Sequence, residues 1–196
     1  MIRAIQFDTK TQTRRVVKFG GAGTLRAGTP ELPPCPYGGP GDRLRVKEAA
    51  WLWCERVPNG LTPTGRSKWL YVALRDTPVH YAADHPQRPK GSVVSPATGN
   101  QWGWRLKIGR FLPGWASRIT LVVVDVRAER LQDISEADAL AEGIVKTHSG
   151  FGLPDGSHYH ATDPRISYWS LWDAINGAGA TESNPLVWRI EFRKAA

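Results

Sequence analysis

The segment Leu186-Val-Trp-Arg-Ile-Glu-Phe-Arg193 alternates cleanly. Leu186, Trp188, Ile190 and Phe192 fall on one face, Arg189, Glu191 and Arg193 on the other, the period of a strand with one face on the core and one in solvent. Arg118-Ile-Thr-Leu-Val-Val-Val-Asp-Val126 is nearly continuous in apolarity and rich in β-branched residues, which predicts a strand crossing the centre of a sheet. A short helix is predicted next: Ser135 can cap it, Asp138 stands three residues on as the acidic partner, Ile134 is placed as a staple, and Gly143 ends it. Between Ile166 and Ile175, the residues Leu171, Trp172 and Ile175 have helical spacing, and Asn176-Gly177 closes the segment. At the other end of the chain, Ile2, Ile5 and Phe7 read as a short apolar strand. Gly41-Asp42 reads as a tight turn into another, with Leu44 and Val46 on one side and Arg43, Arg45 and Lys47 on the other.

The stretches between these elements are long. Residues 19–41 are rich in Gly and Pro, without apolar periodicity, and read as a loop placed to serve as a lid. Residues 55–101 are interrupted by Pro58, Pro63, Pro78, Pro86, Pro89 and Pro96; within them Trp69–Leu74 and Val79–Tyr81 read as the strands of an inserted hairpin. Residues 145–165 form a further polar loop. Strands outnumber helices, so the expected fold is mixed α+β, a small β-barrel with peripheral helices and long inserted loops. At 196 residues and 21.7 kDa, one domain covering 1–196 is expected.

Composition narrows the classes. No apolar run approaches the ~20 residues of a membrane span, and the N-terminus lacks the apolar stretch of a secretory signal, so the expectation is a cytoplasmic protein with no membrane partner. Cys35 and Cys54 are too few for a disulfide framework or a Cys-based zinc site. His148, His158 and His160 have no acidic partner at a ligand spacing, and no Gly-rich phosphate loop leads into a helix. Neither a metal nor a cofactor is expected.

Charge points elsewhere. The net charge of +8 and a pI near 9.8, with basic clusters at 14–18, 43–47 and 105–110, favour a polyanionic partner. Lys10-Thr11-Gln12-Thr13-Arg14-Arg15 places an amine and hydroxyls immediately before two guanidiniums. Beside the basic strand Arg43–Val46 it suits a pocket for a polar, anionic ligand such as a nucleotide, or else a solvated surface turn. Arg14, Arg43 and Arg45 are candidates for phosphate or base contacts. Trp51 and Trp53, like Trp102 and Trp104, stand in Trp-x-Trp pairs that either stack bases beside a basic groove or fill a barrel core.

These pieces, in this order, resemble the ASCH superfamily, whose domains have a PUA-like β-barrel fold. The matching landmarks are Lys10-Thr11-Gln12-Thr13-Arg14, Gly41-Asp42-Arg43-Leu44-Arg45-Val46, the strand and helix over 118–144, and Arg189-Ile190-Glu191-Phe192. Trp115–Leu121, Leu131–Ile144 and Leu171–Asn176 look like the longer phage and prophage branch, for which the cytoplasm is that of a bacterial host. The resemblance covers about half the chain. It implies an amidohydrolase that removes the acetyl group of N4-acetylcytidine, with a Lys and a Thr spaced as Lys10 and Thr13 are and a Glu that falls on Glu142. Other members of the superfamily bind or cleave RNA, so a non-catalytic module reading RNA or modified DNA, or a ribonuclease, is the alternative. The chain is about twice the length of the small hydrolases, with insertions near 19–40, 52–105 and 145–165 that they lack.

Under this resemblance each residue type has work to do. A lysine amine is protonated at neutral pH unless burial and the neighbouring Arg14 and Arg15 lower its pKa, after which it can act as base or nucleophile. Thr13 can orient a water or donate to an oxyanion. Glu142, at the C-terminal end of its helix, faces a dipole unfavourable to a carboxylate, which suits a proton shuttle to the leaving amine.

Overall fold

A computed structural model describes residues 2–19 and 32–195, so most of the expected lid over 19–41 lies outside the described residues. The chain opens with helix α1 (Ile2–Gln6) and strands β1 (Gln12–Val16) and β2 (Arg43–Arg45). Strands β3 (Ala50–Leu61), β4 (Ser67–Ala73), β5 (Val79–Tyr81), β6 (Ser92–Val94) and β7 (Gln101–Lys107) follow. The remainder comprises β8 (Thr120–Arg130), α2 (Glu136–Ala141), the two-residue strands β9 (Val145–Lys146) and β10 (Phe151–Gly152), α3 (Pro164–Asn176) and β11 (Leu186–Lys194). The fold is mixed α+β and mostly sheet. It divides into two compact units, one formed by Met1–Leu44 with Thr120–Ala196 and one by Arg45–Ile119; the expected insertion near 52–105 falls inside the second.

The first unit is organised by a four-stranded sheet in the order β1-β11-β8-β2. β11 runs antiparallel to both neighbours, with Arg14 opposite Arg189 and Ile190 opposite Val126. Both faces of this sheet are covered. Trp188 and Ile190 pack with Val17 and Val123 on one side. Val187, one residue out of phase, packs with Leu131, Ile134, Ala139, Ile144, Tyr168 and Trp172 from the helical side. This corrects the expected solvent face of β11: Arg189 shares the side of Val187 and is buried, because α2 carries a carboxylate down onto it.

Local signals hold where they are short in range. The Ser135 hydroxyl accepts from the Asp138 backbone N–H at 3.1 Å, and Gly143 ends the helix at φ +101°. The expected strand at Ile2–Phe7 is instead α1: Ile2 and Ile5 are a helical i,i+3 pair, Ile5 is buried, and Phe7 lies beyond the helix in solvent.

The second unit is a sheet in the order β4-β3-β7-β6, with β5 also paired to β3. β3 runs through residues expected to be loop, since Pro58 falls opposite Trp69 just where the ladder slips between Pro58 and Leu61. β4 and β5 follow one another along β3 instead of forming a hairpin together. Ala50, Leu52 and Cys54 point into a core with Leu112 and Ala116. Trp51 and Trp53 therefore occupy the opposite face, where Trp53 meets Trp104 edge-on with centroids 5.2 Å apart. Both cysteines are free, and among the described residues no helix is long and apolar enough to cross a membrane.

Candidate functional site

The C-terminal end of α2 and the segment leading into β1 are tied together by their backbones. The Thr11 N–H donates to the Ala141 carbonyl at 2.8 Å. Gly143 then turns the chain with a positive φ, and a Cβ there would lie 3.5 Å from the Lys10 Cβ, so the lysine stem lies directly against the glycine. Lys10 is thereby directed to the helix terminus. Its Nζ donates to the Glu142 carbonyl at 2.7 Å, one of the acceptors left open at a helix end, and to Glu142 Oε2 at 2.5 Å. Both side chains are almost fully buried.

A second layer holds the carboxylate from its other oxygen. Arg14 Nη1 lies 3.3 Å from Glu142 Oε1, and the Tyr168 hydroxyl makes a long contact of 3.5 Å with the same atom. The Arg14 guanidinium, 1 % exposed, is also paired with Glu129 at 2.6 Å and Asp138 at 3.4 Å. Asp138 in turn accepts from Arg189 at 3.2 Å, and Arg189 also reaches Asp125 and Glu191, both at 3.1 Å. Burial of such charges is tolerable only when each finds partners of this kind.

The environment tunes three of these groups. Burial lowers the pKa of the Lys10 amine below the ordinary lysine value; Glu142 pulls it back by charge and hydrogen bond, while Arg15 and Arg14 push it down further. Burial raises the Tyr168 hydroxyl well above its usual value, and the Glu142 charge adds to this. Partial burial works to raise Asp138, but hydrogen bonds from Gln12 and Ser135 and the charges of Arg189 and Arg14 outweigh it and hold its pKa at about 2.

A cavity of about 350 Å³ opens over this ion cluster, its floor formed by Lys10, Thr13, Arg14 and Glu142 and its wall by Tyr168, Leu171, Trp172 and Ile175. Thr13 reaches the cavity from edge strand β1, where it stands opposite Ile190, so its side chain shares the sheet face of Ile190 and Trp188 and not that of Arg14 and Arg189. Arg15, exposed, adds a cation to the rim. Arg14 lines the cavity too, but its guanidinium is committed to three carboxylates.

The expected site residues thus separate into groups. Lys10, Thr13, Arg14 and Glu142 come together. Arg43 lies exposed on β2, outside the cavity lining, while Arg45, Trp51 and Trp53 belong to the second unit. Sequence reasoning missed Tyr168 and read Leu171, Trp172 and Ile175 only as residues at helical spacing. Their i, i+3, i+4, i+7 spacing was legible, yet it does not say whether the stripe meets a core or a cavity. No family model, curated protein or solved structure matches the chain. The chemistry of the site therefore stands on its geometry: a buried amine of lowered pKa, a carboxylate touching it, and an apolar aromatic wall.

Proposed function

We propose that this chain is an ASCH-type, PUA-like amidohydrolase that removes an N4-acyl group from cytidine-type nucleosides. One observation carries the reading: Lys10, Thr13 and Glu142, separated by up to 132 residues, converge on a single cavity. Its volume lies near the lower end of the ~300–1,000 Å³ common for small-molecule sites, a size suited to one base and a short acyl group. The aromatic wall of Tyr168 and Trp172 offers apolar cover to a planar ring.

In this mechanism the neutral fraction of the Lys10 amine takes a proton from water, and the resulting hydroxide adds to the acyl carbon. The Lys10 ammonium that this leaves stands beside the oxyanion and stabilises it. Glu142, in hydrogen-bond contact with the Lys10 amine, relays the proton to N4 as the C–N bond breaks and its electron pair leaves with nitrogen. The products are a carboxylic acid and the free cytidine, so one water is consumed and no co-reactant is needed. Burial lowers the pKa of the amine and so favours the neutral form that can act as base.

The test is chromatography of N4-acetylcytidine and N4-acyl-deoxycytidine after incubation with the wild-type chain, with Lys10→Ala and Glu142→Gln beside it and circular dichroism to establish folding. Conversion to the free nucleoside that both folded variants lose supports the assignment. Absence of conversion by the folded wild type overturns it.

A further inference from the structure

The net charge of the chain is unevenly distributed. Residues 45–119, the second unit, hold 12 Lys and Arg against 4 Asp and Glu, whereas the remaining sequence holds 14 of each. The whole excess of +8 therefore belongs to the second unit. Its acids are largely occupied: Glu48 and Asp84 both pair with Arg118, and Glu55 accepts from Asn100 at 3.0 Å. Among the described residues, no salt bridge joins Arg56, Arg105 or Lys107 to a carboxylate.

Three strands arrange those cations on one face. Arg56 on β3 stands opposite Tyr71 on β4 and opposite Gln101 on β7, so their side chains share a face. Arg56 lies over the Trp69 ring at 3.8 Å and is held by Gln101 Oε1 at 2.6 Å. Arg105 lies over the Tyr71 ring at 4.1 Å, reaching from β7 across small Gly103 and Cys54, and Lys107 donates to the Tyr71 carbonyl at 3.2 Å. The Tyr71 hydroxyl is lowered in pKa by the Arg105 hydrogen bond and by the charges of Arg105 and Arg56. Trp69 is 41 % exposed, and β4 is an edge strand whose two neighbouring apolar residues, Leu70 and Val72, are also in solvent. The result is two guanidinium–ring stacks, about 7 Å apart along β4 at the usual rise of a strand.

We infer that this face of the second unit, built on Arg56, Trp69, Tyr71 and Arg105, binds single-stranded nucleic acid. Unpaired bases can stack on aromatic rings and on guanidinium planes alike, and cations with no carboxylate partner among the described residues keep their charge for phosphates. A duplex hides its base faces and gains only the charge. The surface lies wholly within the second unit and involves none of the cavity residues, so it stands independently of the hydrolase reading.

Fluorescence anisotropy of a labelled 12-nucleotide single strand, as RNA and as DNA, titrated with the full chain over a range of salt, tests this. The expected result is binding to the single strand in preference to a duplex of the same length and to heparin, with whichever sugar binds tighter naming the polymer. Trp69→Leu should weaken binding about tenfold, the scale of one lost base stack, with an unchanged salt slope. Arg56→Gln with Arg105→Gln should instead flatten the log–log salt slope by about 1.4, two phosphates at ~0.7 each. Circular dichroism of each variant separates loss of binding from loss of fold. Equal affinity for heparin and duplex, or wild-type affinity in a folded Trp69→Leu chain, overturns the proposal.

Discussion

Arg14 and Arg56 both project from strands, yet they sit in opposite electrostatic worlds. Arg14 is sealed from solvent and touches Glu129, Asp138 and Glu142, in a unit whose formal charges cancel. Arg56 lies on an indole ring at a sheet edge and touches no carboxylate among the described residues, in a unit with a surplus of +8. The difference follows from what covers each strand. α2 and α3 close over the sheet of the first unit, and a charge buried there must bring its counter-charges with it. Arg56, on β3 between β4 and β7, is only half-buried beside the exposed Trp69 of edge strand β4 and has no carboxylate partner among the described residues, so its charge is left to meet an anion from outside. One unit spends its charges on holding a site together; the other keeps them available.

The sharpest way to break the contrast is Arg14→Ala. It leaves three carboxylates crowded together without their shared guanidinium, and the expected loss is about 3–5 kcal/mol, as for other buried pairs stripped of one partner. Urea unfolding at neutral pH measures it. A loss under 1 kcal/mol would mean that water reaches the cluster and that it is not the buried network described above.

Acid tests the same cluster without mutation. The folded pKa of Asp138 lies near 2, below the ordinary aspartate value of 3.8. The stabilisation is therefore fully present above pH ~4 and is lost as pH falls toward 2, since protonation then costs the folded state its hydrogen bonds and ion pairs. The size is about 2 kcal/mol, from 1.36 kcal/mol per pKa unit. Comparing wild type with Asp138→Asn by urea unfolding between pH 5 and pH 2 should show the two stabilities converging at the acid end. Parallel curves would remove Asp138 from the network.

Within the second unit, Arg118 is the exception that resembles the first. It clamps buried Glu48 through two hydrogen bonds at 2.8 and 3.0 Å, pairs with Asp84, and lies 3.9 Å from the Tyr81 ring. Because Arg118 and Asp84 are partly in solvent, only the Glu48 half should count for much, and Arg118→Ala is expected to cost about 1–2 kcal/mol. Thermal unfolding checks it. A change as small as that at Arg56 would erase the distinction between paired and unpaired cations in this unit.

How much of this was legible in the sequence depends on the range of each interaction. The Ser135–Asp138 cap is three residues long and could be read directly, as could the apolar face of β11. Arg189 could not, because its partner Asp138 lies 51 positions away and only folding brings α2 over the strand. The same holds for Lys10 and Glu142: their residue types were placed by resemblance, but nothing local in either segment encodes a contact between them. Pro58 misled for a different reason. It is a reliable breaker in a sheet interior, but here it sits where the β3–β4 ladder is already irregular. The cavity wall was seen only as residues at helical spacing, since periodicity reports which residues share a face and not what that face meets.

The smallest expected stability change carries the most weight for the comparison. Arg56→Gln removes a guanidinium that contributes an exposed cation–π contact of about 0.5–1 kcal/mol and one hydrogen bond to Gln101. Urea unfolding should therefore move by less than about 1 kcal/mol, against several for Arg14→Ala. If Arg56 were there to hold the edge strand, its loss would cost as much as that of a buried pair, and β4 would fray with it. If it is held ready for a phosphate, the fold barely registers its absence while the salt dependence of single-strand binding does. A near-neutral stability change paired with a flattened salt slope is what an available cation produces, and a structural cation produces the reverse.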